Sequence, residues 1–418
     1  MTVAVVDAEC AGLSSQRLAR IGPVMQRYVE EGKIAGVSTL LARRGQVIHF
    51  EQTGWMDREA ARPMRDDALF RIYSMTKPIV CTAAMTLYEQ GRFHLFDPLQ
   101  KYLPAFANVK VLERNPAGNN ALVAPSRPIT VRDLFLHTAG LTYDFLEESP
   151  VSALYREAKL MHSTARTLEQ MIDDLARLPL AYHPGSHWHY SLAIDVIAHL
   201  IQVLADKPLG DSLQEALFNP LGMQDTGFGV PSAHHDRVAT MYGRHDLCGV
   251  GVTFSQEMEA WLTQPPVRLD VDATYPTDNT TTFQRGGHGL FSTAQDYFRF
   301  AQMLLNHGEL DGVRVLGRKT VELMHINHLS TALLPCMITP ELPLNGYGFG
   351  LGSRVLLDVA ASEMPGSVGE FGWSGAAHTY YWVDPQEEMV GVLMTQDMMG
   401  FDPLPNDFRI LAYQAVID

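Results

Sequence analysis

Apolar residues recur along this chain first at helical and then at strand spacing. After Ser14, the positions Leu18, Ile21, Met25 and Tyr28 repeat at three and four residues. That spacing predicts one amphipathic helix capped by Ser14, with Pro23 expected to kink it. From Gly36 to Gly54 the period drops to two: Ile48 and Phe50 alternate with His49 and Glu51 beyond an Arg44-Gly45 turn, which predicts an antiparallel hairpin. A second strand, turn and strand run from His378 to Met394 with the turn at Asp384-Pro385, and Phe408, Leu411, Ala412 and Ala415 then follow a helical period. Between about Leu95 and Pro335 the pattern is mostly helix and loop. Thr130 with Asp133 and Thr293 with Asp296 read as capping-box starts, and the Asn-, Gly- and Pro-rich segment 115–128 reads as surface loop.

Neither terminal set of strands could bury both of its faces alone, so the economical architecture joins them. The predicted fold class is α/β in the α+β sense: an antiparallel sheet from both termini, flanked by helices, with an inserted mainly helical domain. The expected division is 1–95 with 336–418 for the sheet domain and 96–335 for the insertion, with the active site between them.

Composition narrows the functional classes. With 46% hydrophobic and 19% charged residues, the chain is an ordinary folded protein. A formal charge of -15 without a basic block repels nucleic acid and anionic lipid surfaces. The start lacks a basic n-region, and no window nears eighteen uninterrupted apolar residues. Cys10, Cys81, Cys248 and Cys336 are widely spaced, which suits reduced thiols better than a disulfide framework or thiolate metal site. The expectation is a cytoplasmic protein.

Ser74-Met-Thr-Lys77-Pro78 contains the chain's one Ser-x-x-Lys spacing. Proline is tolerated only in a first helical turn, so a helix must begin near Ser74, with Ile79, Val80, Ala83, Ala84 and Leu87 as its buried stripe and Gly91 as its stop. Ser74 then lies at a helix N-terminus, where free N–H groups favour a developing oxyanion. Lys77 shares its face. An amine can give up its proton to act as a base and a guanidinium cannot, which explains lysine rather than arginine.

Further along, Tyr190 opens an apolar helical run after the Pro184-Gly185 turn, and could aim a phenol into a cleft. Glycines flank Trp373 within Glu370–His378, where backbone must approach something closely. Gly372-Trp-Ser-Gly-Ala376 resembles a nucleophile elbow but ends in alanine and precedes a strand, so Ser374 is rejected as nucleophile. His183, His187 and His189 lack a companion carboxylate and are read as lining the approach to the site rather than binding metal. Gly286-Gly-His-Gly289 reads as a tight turn beside the pocket, and Asp195 as a structural hydrogen-bond acceptor.

Taken in order, Ser74-x-x-Lys77, Tyr190-Ser191-Leu192 and Trp373-Ser374-Gly375 resemble the three motifs of penicillin-binding proteins and class C β-lactamases. The Tyr-Ser-Met-Thr-Lys-Pro segment and the tryptophan of the third motif resemble, more narrowly, the family VIII carboxylesterases, over nearly the whole chain. That resemblance implies a β-lactamase/transpeptidase-like fold and a serine esterase. Ser74 would be the nucleophile, with Lys77 and Tyr190 sharing its proton. The backbone N–H groups of Ser74 and of Ala376, on the strand after the third motif, would form the oxyanion hole. Trp373, Ser374, Gly375 and Leu192 would bind substrate, and neither metal nor cofactor is implied. Trp373 and Leu192 stand where β-lactamases carry lysine and asparagine. The expected substrates are therefore neutral short to medium acyl esters, with room for weak cephalosporin turnover. An acyltransferase or D-peptide hydrolase using the same nucleophile is the rival enzyme, and an inactive binding module the rival class.

Overall fold

Eight strands pair into one antiparallel sheet in the computed structural model, which describes residues 4–114, 120–161, 164–249, 251–278 and 282–418. They are β1 (Gly36–Arg43), β2 (Gln46–Asp57), β3 (Arg62–Pro63), β4 (Tyr347–Phe349), β5 (Arg354–Leu356), β6 (Phe371–Ser374), β7 (Tyr380–Asp384) and β8 (Met389–Thr395). The order across the sheet is β4-β5-β6-β7-β8-β1-β2-β3. The seam between the two sequence regions is β1 against β8, in register from Val37 opposite Thr395 to Arg43 opposite Met389. The expected antiparallel sheet drawn from both ends is the one observed.

Alternate strand residues feed two cores, as the pleat requires. Leu41, Trp382 and Leu393 pack under α1 (Ile21–Glu30) and, far along the chain, the C-terminal helix Leu404–Tyr413, through Ile21, Met25 and Phe408. Leu40, Tyr381 and Val392 face the opposite way, against the helix Ala294–Leu305, whose Tyr297 ring lies 4.9 Å from Tyr381. Within this larger core α2 (Thr76–Glu89) packs on α3 (Ala193–Ala205). We call Ala294–Leu305 α4 and Leu404–Tyr413 α5. An ion pair is sealed in: Arg409 of α5 lies 2.5 Å from Glu370, with both side chains at or below 1% exposure. Arg409 also donates to the Tyr347 hydroxyl at 2.7 Å, tying α5 to the β4 edge. Burial lifts the Glu370 carboxyl to about 7 against the pull of Arg409 and Arg354.

Three expectations need correction. The first helix is two: Ser14 caps Ser15–Leu18, and α1 starts afresh at Ile21. Pro23 falls in the first turn of α1, where its missing N–H has no intrahelical partner to lose, so it imposes no kink. Part of the predicted loop 115–128 is a strand, Asn120–Val123, paired with Val111–Arg114, while 115–119 lie outside the described residues. His49 is not on a solvent face. It is buried, with Nε2 2.7 Å from Thr39 Oγ1, because both faces of the sheet are covered.

Burial holds the His49 imidazole down to about 4 from its ordinary 6.5. A folded-state value below the unfolded one means that the stability contribution is complete above pH 6.5 and is lost as pH falls toward 4. Urea midpoints taken at pH 7, 5.5 and 4 should therefore fall less steeply in His49→Gln than in the natural protein. The difference accumulated over that range is on the order of 3 kcal/mol.

Candidate active site

The segment before Ser74 is fixed by a small second sheet. Phe70–Arg71 pairs antiparallel with Leu290–Ser292, and the Ile72 N–H donates to the Leu290 carbonyl at 3.1 Å. Tyr73 then turns through the left-handed region at φ 42° and opens a 3₁₀ turn, Tyr73–Met75, that runs directly into α2. Such a backbone costs a non-glycine residue on the order of 1–3 kcal/mol and persists only where packing enforces it. Here the buried Tyr73 ring is pinned 4.8 Å from Tyr275. Ser74 follows at the helix start, partly open to a cavity of about 400 Å³.

Lys77 is 2% exposed. Its Nζ lies 2.9 Å from Ser74 Oγ and donates to the Gly287 carbonyl at 2.7 Å. The rings of Tyr190 and Tyr143 face it at 4.6 and 5.4 Å from their centroids. The amine thus sits in a cage of one hydroxyl, one carbonyl and two aromatic faces, which offset part of its desolvation. Its charge also reaches outward. The His137 ring lies 4.9 Å from Tyr190, and burial together with Lys77 holds its imidazole well below the usual range.

The carbonyl that receives Lys77 is itself held. Gly287 donates its N–H to Asp195 Oδ1 at 3.0 Å, and Asp195 is fully buried in the first turn of α3. Burial raises the Asp195 carboxyl, while the Gly287 N–H, Lys77 and Arg285 draw it back. A side chain at 287 would collide with the Asp195 carboxylate and crowd the Tyr143 hydroxyl, so close backbone approach requires glycine here. Asp195 is the structural acceptor the sequence suggested, and the Gly286–Gly289 turn does border the site.

Tyr190, 6% exposed, receives the Trp373 indole N–H on its hydroxyl at 3.3 Å. Trp373 and Ser374 end β6, and Gly375 and Ala376 begin the turn to β7. Ala376 is therefore in a turn rather than on a strand, because pairing resumes only at Tyr380, opposite Ser374. Its carbonyl accepts from the Met399 N–H at 2.7 Å. Ser74, Tyr190, Trp373, Ser374, Gly375 and Ala376 all border the one cavity.

Two predictions are not met by the geometry. Leu192 is completely buried at the start of α3, donating its N–H to the Thr142 carbonyl, and does not line the cavity. The three histidines do not line it either. His183 pairs with Glu113 at 2.6 Å, His187 with Ser186 at 2.8 Å, and His189 with Thr142 at 2.9 Å. Sequence reading missed Tyr143, the Gly287 carbonyl as the partner of Lys77, and the apolar wall of Phe145, Leu247, Phe254, Ile338 and Leu342. These come from separate loops with no shared period, so only the fold gathers them. Among the described residues no cluster of His, Cys, Asp and Glu could hold a metal ion, and no helix is long and apolar enough to cross a membrane.

A serine and an amine at one helix start, a facing phenol and a small-residue strand end define a family-level arrangement. The Beta-lactamase family profile matches residues 23–415, and the chain belongs to that family. Esterase EstB of Burkholderia gladioli is 30% identical over 408 residues, covering 94% of each chain. An uncharacterized protein of Mycobacterium tuberculosis is 34% identical over 383 residues, 89% of this chain and 88% of its own. Among solved structures, EstCE1, described as a hydrolase with promiscuous acyltransferase activity, superposes with a TM-score of 0.77 at 28% identity over 95% of this chain and 99% of its own. The resemblance to family VIII carboxylesterases and the β-lactamase-like fold are borne out.

If the Gly287 carbonyl holds Lys77 in reach of Ser74, Gly287→Ala should lower kcat for a p-nitrophenyl ester by roughly a hundredfold, the usual cost of a misplacement near 1 Å. Steady-state kinetics on the folded variant, verified by circular dichroism, would check it.

Proposed function

We propose that this carboxylic ester hydrolase cleaves neutral short to medium acyl esters through an acyl-enzyme on Ser74, with Lys77 and Tyr190 as its proton carriers. The observation that carries the proposal is Lys77 Nζ 2.9 Å from Ser74 Oγ, with Lys77 buried and Ser74 bordering the cavity. Ser74 Oγ attacks the ester carbonyl as its proton passes to the Lys77–Tyr190 pair, and the carbonyl oxygen takes the negative charge. The N–H groups of Ser74 and Ala376 receive that oxyanion. Collapse breaks the bond to the alcohol, which leaves with the proton. Water then adds to the acyl carbon by the reverse relay, releasing the acid and restoring Ser74–OH.

The substrate preference follows from the third motif. Trp373 offers a neutral indole N–H to Tyr190 where an ammonium would offer a full charge, so a substrate carboxylate finds no cation there. With Ser374 and Gly375 it forms the floor on which the ester lies, and weak cephalosporin turnover belongs to the same reading. The rival is acyl transfer, in which an alcohol replaces water, and the description of EstCE1 favours keeping it in view. A D-peptide hydrolase would use the same steps. A bare binding module would have no use for the Ser74–Lys77 contact. We place the site at the junction of a sheet unit, 1–95 with 336–418, and the helical unit 96–335. A cytoplasmic protein that binds no nucleic acid or membrane is in keeping with four free thiols and the charge of -15.

Intact-mass detection of a fluorophosphonate adduct, run beside p-nitrophenyl butyrate hydrolysis, is the deciding test. Adduct and activity should both vanish in Ser74→Ala, and absence of adduct on folded natural protein would defeat the reading. Lys77→Arg, which keeps the charge but cannot act as a base, should lose at least about a thousandfold in kcat/KM. Benzylpenicillin should be a poorer substrate than the butyrate ester, by kcat/KM, in the natural protein.

A further inference from the structure

The cavity wall is part apolar and part polar. Beside Phe145, Leu247 and Phe254 it carries a polar stretch: His378 from the β6–β7 turn, Asp402 from the segment entering α5 and Asn406 from the first turn of α5. Behind His378 lies a sealed polar cluster. Its Nδ1 is 3.4 Å from Asp397 Oδ2, and Arg244 Nη1 is 3.8 Å from Asp397 Oδ1. The Asp397 side chain is 1% exposed, and neither of its oxygens nor His378 Nδ1 makes a hydrogen bond among the described residues. Burying a carboxylate this deeply costs stability unless it is paired. The site is nonetheless built around it: His378 adopts a left-handed φ of 62°, and any side chain at position 400 would collide with both Asp397 and the His378 ring, so Gly400 is required.

We propose that this polar stretch is a hydroxyl-binding subsite, in which His378 Nε2 accepts a hydrogen bond from an alcohol group on the substrate. The inference rests on the ester-hydrolase reading above. Nδ1 is the ring nitrogen nearer Asp397, at 3.4 Å, and an ionised carboxylate can only accept, so the carboxylate favours the tautomer with its hydrogen on Nδ1. Nε2 is then the nitrogen with a lone pair, and His378 borders the cavity. Burial raises the Asp397 carboxyl, and His378 and Arg244 draw it back. The neighbouring Asp402 carboxylate, 3.6 Å from Lys33 Nζ, adds a second acceptor. The substrate class is an ester with one apolar half and one hydroxylated half, the apolar half lying against Phe145 and its neighbours.

Butyl butyrate, 4-hydroxybutyl butyrate and butyl 3-hydroxybutyrate, compared by kcat/KM, read the subsite and show which half of the ester it holds. One hydroxylated ester should exceed butyl butyrate by about tenfold in the natural protein, the usual worth of one such hydrogen bond. His378→Phe should erase that advantage. Asp397→Asn should move the hydrogen to Nε2, because the new amide donates to Nδ1, and so make 4-methoxybutyl butyrate, an acceptor only, the favoured substrate over butyl butyrate. A ratio near one in the natural protein, or a ratio untouched by His378→Phe in a folded variant, would overturn the proposal. Calorimetric titration of the same esters into Ser74→Ala reads the subsite without turnover. A binding preference there with no hydrolysis by the natural protein would refute the ester reading and leave the subsite standing.

Discussion

The buried amine of Lys77 is the constraint around which this site is arranged. A lysine brought to 2% exposure must find partners or lose its place in the fold. Its partners are one neighbour, Ser74 on the same helix turn, and three groups from distant regions, the Gly287 carbonyl and the rings of Tyr143 and Tyr190. Each partner is in turn secured. Asp195 holds the Gly287 N–H, Trp373 holds the Tyr190 hydroxyl, and the Phe70–Arg71 strand fixes the approach to Ser74. The cage therefore joins α2, α3 and the sheet through a few polar contacts, and Ser74 and Tyr190 border the cavity that an ester would fill.

That arrangement also separates rigid from permissive parts of the site. The floor beneath the reacting atoms is made of backbone groups and buried rings, which tolerate little displacement. The cavity walls are made of side chains from loops, which can vary without disturbing the cage. Members of the family that differ in the acid or alcohol they accept would then differ mainly in residues such as Leu247, Ile338 and Leu342, and less around Lys77.

What could be read from the sequence was local. The Ser74–Lys77 spacing, the hairpin around Arg44-Gly45 and the periodicity of α5 are each complete within one window, and each is found where the pattern placed it. The site features that escaped notice depend on separations that no window spans: Gly287 lies 210 residues from Lys77. Leu192 shows the complementary error. Its position in a motif suggested a substrate contact, yet an apolar side chain at the start of a helix packed on both sides is drawn inward by burial. The break in the first helix has a similar origin, since the apolar period continues across Arg20 while the backbone does not.

The pairing of β1 with β8 has a consequence for how the enzyme comes into being. Ser74 and Lys77 are translated about 300 residues before Ala376 and the strand that fixes it. On the proposed mechanism, a ribosome-bound chain would carry its attacking serine long before it has the turn that would stabilise charge on an ester. Contacts of such span are slow to form and come as one of the later gains of folding. Catalysis by that route would be a report on completion: a chain halted anywhere before β7 keeps the serine and the lysine but lacks the turn that would complete the site.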